Sequence, residues 1–174
     1  MNKLSLLLLL LFLVPAAFAQ SNGNGGCVAV ATGLLQGDAA DFRDTFSATK
    51  VVDVDFAILF TPGSVNRFAD THTVEFRIFT PRGHLYQSIT IPFTSDPAAK
   101  GKRVKIEGYP DPQPVSLLTD VTYLKNKHLL VKVALPVAGT PIISNSLYGQ
   151  WRAEAYVDDE PVGCAKPALF TITQ

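Results

Sequence analysis

Residues 51–60 read Val-Val-Asp-Val-Asp-Phe-Ala-Ile-Leu-Phe, with Val52, Val54, Phe56, Ile58 and Phe60 in one phase and Asp53 and Asp55 in the other. Successive side chains of a strand point to opposite faces, so this alternation predicts a half-buried strand and does not fit a period of 3.6. The rhythm recurs at 73–80, where Val74, Phe76 and Ile78 turn inward and Glu75 and Arg77 outward. Pro81-Arg82-Gly83 then reverses the chain into 84–93. There Leu85, Ile89, Ile91 and Phe93 are expected on one face and Tyr86, Ser88 and Thr90 on the other, which makes a hairpin. Pro92 cannot donate to a ladder, so that strand should end near an edge or a bulge.

Between Thr94 and Val115 the alternation lapses into loop chemistry, Ser95-Asp96-Pro97 and Tyr109-Pro110-Asp111-Pro112-Gln113-Pro114, with room for a short edge strand at 104–106. It returns at 117–124 and at 128–135, where Leu129, Val131, Val133 and Leu135 share a face. Trp151, Ala153, Ala155 and Val157 form the next inner face, Asp158-Asp159-Glu160-Pro161 turns, and Leu169–Thr173 closes the chain. The only helical candidate is a turn around Asp38–Phe46. Seven to nine short strands between frequent turns predict an all-β, antiparallel sandwich. The uneven loops favour it over a closed barrel, which shows a more regular up-and-down rhythm.

The N-terminus is built differently. Lys3, the nearly unbroken apolar run Leu4–Val14, Pro15 and the small-x-small triplet Ala17-Phe18-Ala19 form the three-part secretory signal pattern. Residues 1–19 are expected to be cleaved near Ala19, an uncleaved anchor being the alternative, and the product to be secreted or periplasmic. Residues 20–26 are polar and flexible. They separate Cys27 from the apolar run, so a lipid-modified cysteine is not expected. Residues 27–174 then form a single domain with no stretch apolar enough to span a bilayer. Fifteen basic and fifteen acidic residues cancel, and 17% charged residues is too few for a disordered chain. The basic excess of a nucleic-acid binder is missing.

Cys27 and Cys164 are the two cysteines. An even count in an exported chain favours a disulfide, which would pin the N-terminal segment to the last hairpin and contribute about 2–4 kcal/mol. Two buried thiols, or a thiol paired with another chain, are the alternatives. The spacing fits neither zinc nor a CxxC redox motif.

In Leu147-Tyr148-Gly149-Gln150-Trp151-Arg152-Ala153 a glycine stands two residues before an aromatic that opens an alternating strand. This resembles the E–F corner of immunoglobulin-like domains and of the macroglobulin-like sandwich modules of bacterial secreted proteins. Phe76–Gly83 is similar to their strand–turn hairpins. The resemblance covers about 50–174 and implies an immunoglobulin-like sandwich with Gly149 and Trp151 as a structural corner. It departs from antibody domains in lacking a cysteine pair through the core. It implies no function, because sandwiches host many.

No catalytic constellation is placed by motif. His72, His84 and His128 fall at expected strand or turn edges without companions at ligand spacing, and Gly63-Ser64-Val65-Asn66 lacks the second glycine of a nucleophile elbow. Asp53 and Asp55, with Asp158, Asp159 and Glu160, could hold calcium, or could be a solvated strand face and an acidic turn. Lys100, Lys102, Arg103 and Lys105, beside Tyr109, could meet an anionic partner, or could be a solvated loop guarding an edge. Tyrosines 86, 109, 123, 148 and 156 could serve a carbohydrate platform, with Tyr86 and Tyr156 on outer faces. The expectation is a non-enzymatic binding module with no cofactor and no metal. It would contact a protein or glycan through a sheet edge or loops. A structural subunit of a surface fibre is the alternative, and a secreted hydrolase a more distant one.

Overall fold

The computed structural model describes residues 26–36, 39–163 and 166–174. The signal segment, residues 20–25 of the linker, and Cys164 lie outside the described residues. Cys27 is not a free thiol.

The strands in order are β1 (Cys27–Gln36), β2 (Ala39–Phe42), β3 (Thr45–Ser47), β4 (Asp53–Phe60), β5 (His72–Phe79), β6 (Leu85–Thr94), β7 (Arg103–Val104), β8 (Gln113–Pro114), β9 (Ser116–Leu117), β10 (Thr119–Tyr123), β11 (Asn126–Pro136), β12 (Gly149–Val157), β13 (Glu160–Pro161) and β14 (Ala168–Thr173). Eight of them are five residues or longer. The fold is all-β. One sheet runs β10-β11-β4-β1-β2, a second runs β3-β14-β12-β5-β6-β9 with β13 beside β12, and β7–β8 form a small ribbon. The pairings are antiparallel except β14–β3 and β6–β9, which are parallel.

The two large sheets share one apolar core. Phe56 of β4 lies 5.1 Å from Phe170 of β14 and 6.0 Å from Phe76 of β5, so rings from both sheets interlock. Trp151 is fully buried and its indole N–H donates to the Leu147 carbonyl at 3.0 Å. Each such buried side chain contributes about 1.5–3 kcal/mol by leaving water.

Several sequence expectations are corrected. Val52 is 68% exposed and precedes β4 rather than facing the core. Asp55 is only 6% exposed, because the opposite face of the first sheet is covered as well. Ala31, Leu35, Ala57, Leu59 and Leu130 form a second apolar cluster there, with Phe42 and Tyr123 packed against it. The sheet's two edge strands meet over this cluster, Phe42 standing edge-on to Tyr123 at 4.8 Å. On β6 the expected phase holds for Ile89, Ile91 and Phe93, which pack on the core, and is shifted only at the strand's start. A bulge pairs Phe79 with Leu85 but Ile78 with Gln87, which makes Tyr86 the extra residue. Leu85 is therefore 56% exposed, and Tyr86 turns in against Trp151, ring centroids 5.3 Å apart.

The turn expected around 38–46 is instead occupied by β2 and β3. Helical turns occur elsewhere, a 3-10 stretch at Pro62–Phe68 and α1 (Pro141–Ser144). Both carry proline in their first turn, and Thr140 caps α1 by accepting the Ile142 N–H. Among the described residues no helix is long and apolar enough to cross a membrane.

Candidate functional site

The outward side chains of β5, β6 and β12 form one polar face. Register sets Glu75 opposite Tyr156 and Thr90, Arg77 opposite Glu154 and Ser88, and Phe79 opposite Arg152. Arg77 holds Glu75 through two bonds, Nε to Oε1 at 3.0 Å and Nη2 to Oε2 at 2.8 Å, and its guanidinium lies 4.1 Å above the Tyr156 ring. Ser88 donates to the same carboxylate. These bonds, with Arg77 the principal cause, hold the Glu75 carboxyl below its ordinary value despite partial burial, and Glu75 in turn raises the Arg77 guanidinium. Beside them Arg152 pairs with Glu154 and lies 4.1 Å over the Phe79 ring, and the Tyr156 hydroxyl donates to Glu154 at 3.1 Å. The face is a lattice of mutually satisfied charges rather than a field of one sign.

The 94–115 segment folds over one side of this face. Asp96 caps a 3-10 turn by accepting the Ala98 N–H, Ala99, Ile106 and Val115 are buried, and the Thr90 N–H donates to the Tyr109 hydroxyl at 2.9 Å. The four cations of this segment divide. Arg103 donates twice to the Pro112 carbonyl, at 3.0 and 2.6 Å, and Lys105 donates to the Tyr109 and Pro110 carbonyls at 2.6 and 2.7 Å. Lys100 and Lys102 are exposed. Between sheet and loop runs a groove of about 550 Å3. Thr71, Thr73, Glu75, Arg77, Thr90 and Pro92 form one wall, the segment from Val104 to Glu107 the other, and Asp159 closes one end. That volume falls within the roughly 300–1,000 Å3 of small-ligand sites.

The other singled-out residues are placed as follows. His72 lies between Phe68 and Phe93, ring centroids 5.3 and 5.9 Å away, with Nδ1 2.6 Å from Asp158 Oδ2. Its Nε2 is buried without a hydrogen-bond partner. Asp158 also accepts the Thr73 N–H at 2.8 Å. Burial pushes the Asp158 carboxyl up, but the bonds from His72 and Thr73 outweigh it and hold the group below its ordinary value. His128 is 8% exposed on β11, not at a surface edge, while His84 is exposed in its turn. Asp55 accepts the Leu35 N–H at 2.6 Å and faces Lys132 Nζ at 3.5 Å. Among the described residues no three His, Cys, Asp or Glu side chains gather as a metal site. Ser64 bonds to Thr61 at 2.9 Å and is buried in its 3-10 turn. Gly149 opens β12 at φ 127°, where a Cβ would stand 3.3 Å from the Pro81 ring.

Of the Glu75–Arg77–Tyr156 arrangement only Tyr156 was singled out for function, as an outer-face tyrosine. The arrangement's signal was the outward phase of two alternating strands, Glu75-x-Arg77 and Arg152-x-Glu154-x-Tyr156.

No family model matches this chain, and no curated protein matches it. Among solved structures, the C-terminal domain of wzt superposes with a TM-score of 0.39 at 15% identity, covering 87% of this chain and 76% of that one. So loose a superposition carries over neither a family nor a function. The class on which sequence and structure agree is an all-β protein.

Proposed function

We propose that this chain is an exported, non-enzymatic binding module, one immunoglobulin-like sandwich over residues 27–174, which holds a partner in the groove beneath the 94–115 loop. The strand order supports the architecture. β1, β4, β11 and β10 take the places of strands A, B, E and D, and β14, β12, β5 and β6 those of G, F, C and C′. The Leu4–Val14 run and the Ala17-Phe18-Ala19 triplet support export. Cys27, which is not a free thiol, supports a bridge to Cys164.

The observation that carries the binding reading is the groove itself, a concavity on the sheet's polar face, walled by a loop that its own side chains hold shut. A rigid loop over a sheet face is where a scaffold commonly places recognition. The test is a screen of glycan arrays and peptide libraries with the wild-type protein and with Thr73→Trp, which fills the groove. A ligand retained by the first and lost by the second is expected, with both proteins melting at similar temperatures. Ligands that bind the two equally would overturn the site. Terminal sequencing of exported material should begin near Gln20.

A further inference from the structure

Resting on the groove reading above, we infer that the ligand is an uncharged oligosaccharide chain, laid along β5 between the sheet and the loop. The groove's cations are already committed. Arg77 is spent on Glu75 and on the Tyr156 ring, and Lys105 on two backbone carbonyls. Glu107 and Asp159 complete the charged lining, so an anionic chain would meet carboxylates without a cation to receive it.

What the groove offers instead is neutral and amphipathic. Thr71 and Thr90 present hydroxyls that both donate and accept, Thr73 one that donates to Asp158 Oδ1 at 3.4 Å and is left to accept, while half-buried Val104 gives apolar surface above the buried Pro92 and Ile106. A pyranose has the matching halves, a rim of hydroxyls and a flat face of C–H groups. Thr73, Glu75 and Arg77 repeat on one face of β5 over about 13 Å at the strand rise of about 3.3 Å per residue, which suits a chain of sugars better than a single ring. Glu75 is pre-positioned by Arg77 and Ser88, which fill Oε1 and half of Oε2, so one acceptor position on Oε2 stands ready for a sugar hydroxyl without further ordering.

The test uses the purified protein on an array of neutral chains (mannan, glucan, galactan and chitin oligomers), uronate-, sialate- and sulfate-bearing chains, and a peptide pool. The comparison variants are Thr73→Val with Thr90→Val, which keep shape and remove hydroxyls, and Glu75→Gln. A neutral chain should bind with little dependence on salt, and each variant should weaken it about tenfold, the loss of roughly one hydrogen bond. Circular dichroism and melting temperature establish that the variants are folded. If one variant fails to fold, the other reads the result. An anionic chain or a peptide, weakened by the same variants, would overturn the ligand class and leave the groove standing. A neutral chain bound equally by wild type and variants would overturn both. No binding on any arm would overturn the carbohydrate assignment.

Discussion

The Tyr109 hydroxyl accepts the backbone N–H of Thr90 at 2.9 Å, across the open side of β6. β9 continues the sheet only at Phe93 and Thr94, so this phenol takes the place of a ladder partner at Thr90. One side chain thus quiets an edge and fixes the loop that walls the groove. Tyr109→Phe keeps the ring and removes the acceptor. It should destabilise the protein by about 1 kcal/mol, and amide exchange should quicken at Thr90 and through residues 103–114. Unchanged exchange there would show that the loop is held without the Tyr109 bond, by its other hydrogen bonds and its buried side chains.

Gly149 carries a second prediction. Its φ of 127° is a backbone conformation other residues rarely adopt, and a Cβ would sit 3.3 Å from the Pro81 ring. Gly149→Ala should cost about 1–3 kcal/mol. Adding Pro81→Ala should recover the steric part and leave the backbone part. A Gly149→Ala protein with wild-type urea stability would refute the corner as a strained contact.

These two positions mark what was legible in the sequence. The inward phases of β5, β11 and β12, Trp151 among them, follow from local spacing, which the pleat converts directly into faces. The double-sided burial of β4 was half visible, since its outward positions pass from Asp55 to Ala57 and Leu59. What covers them comes from β2 and β10, far apart in sequence, and no local rhythm announces that meeting. The bulge at Tyr86 shifts the phase by a residue without a glycine to signal it. The groove was legible only in its parts. Alternation places Glu75, Arg77 and Tyr156 outward but does not set the register that brings them together.

Asp55 and Lys132 supply a third prediction. The carboxylate is buried, accepts the Leu35 N–H at 2.6 Å and faces Lys132 Nζ at 3.5 Å, while that ammonium also donates to the Leu35 carbonyl. β1 and β4 are thereby tied beyond their last ladder pair, Gly33 with Asp55. Asp55→Ala strands a backbone donor and should cost about 1–3 kcal/mol, whereas Lys132→Met keeps the Leu35 N–H satisfied and should cost less. Equal losses in urea unfolding would mean that the ion pair, not the backbone bond, is the stabilising element.

Acid should expose the role of Asp158. Its carboxyl lies below the ordinary value in the folded protein, held by His72 and Thr73 against burial. As pH falls through the usual aspartate range, near about 4, the unfolded chain takes up the proton before the folded one, so stability declines with falling pH. The contribution is fully present above that range and is lost as pH drops through the lower, folded value. Glu75, lowered by Arg77, acts in the same direction. Both carboxyls are partly open to water, so each effect is modest. Urea midpoints measured from about pH 6 to pH 2 should fall less steeply in Asp158→Asn than in the wild type. Asp111→Asn, at an exposed loop position, is the comparison. An acid limb for Asp158→Asn parallel to that of the wild type would show that the His72 contact does no more than orient the β12–β13 turn.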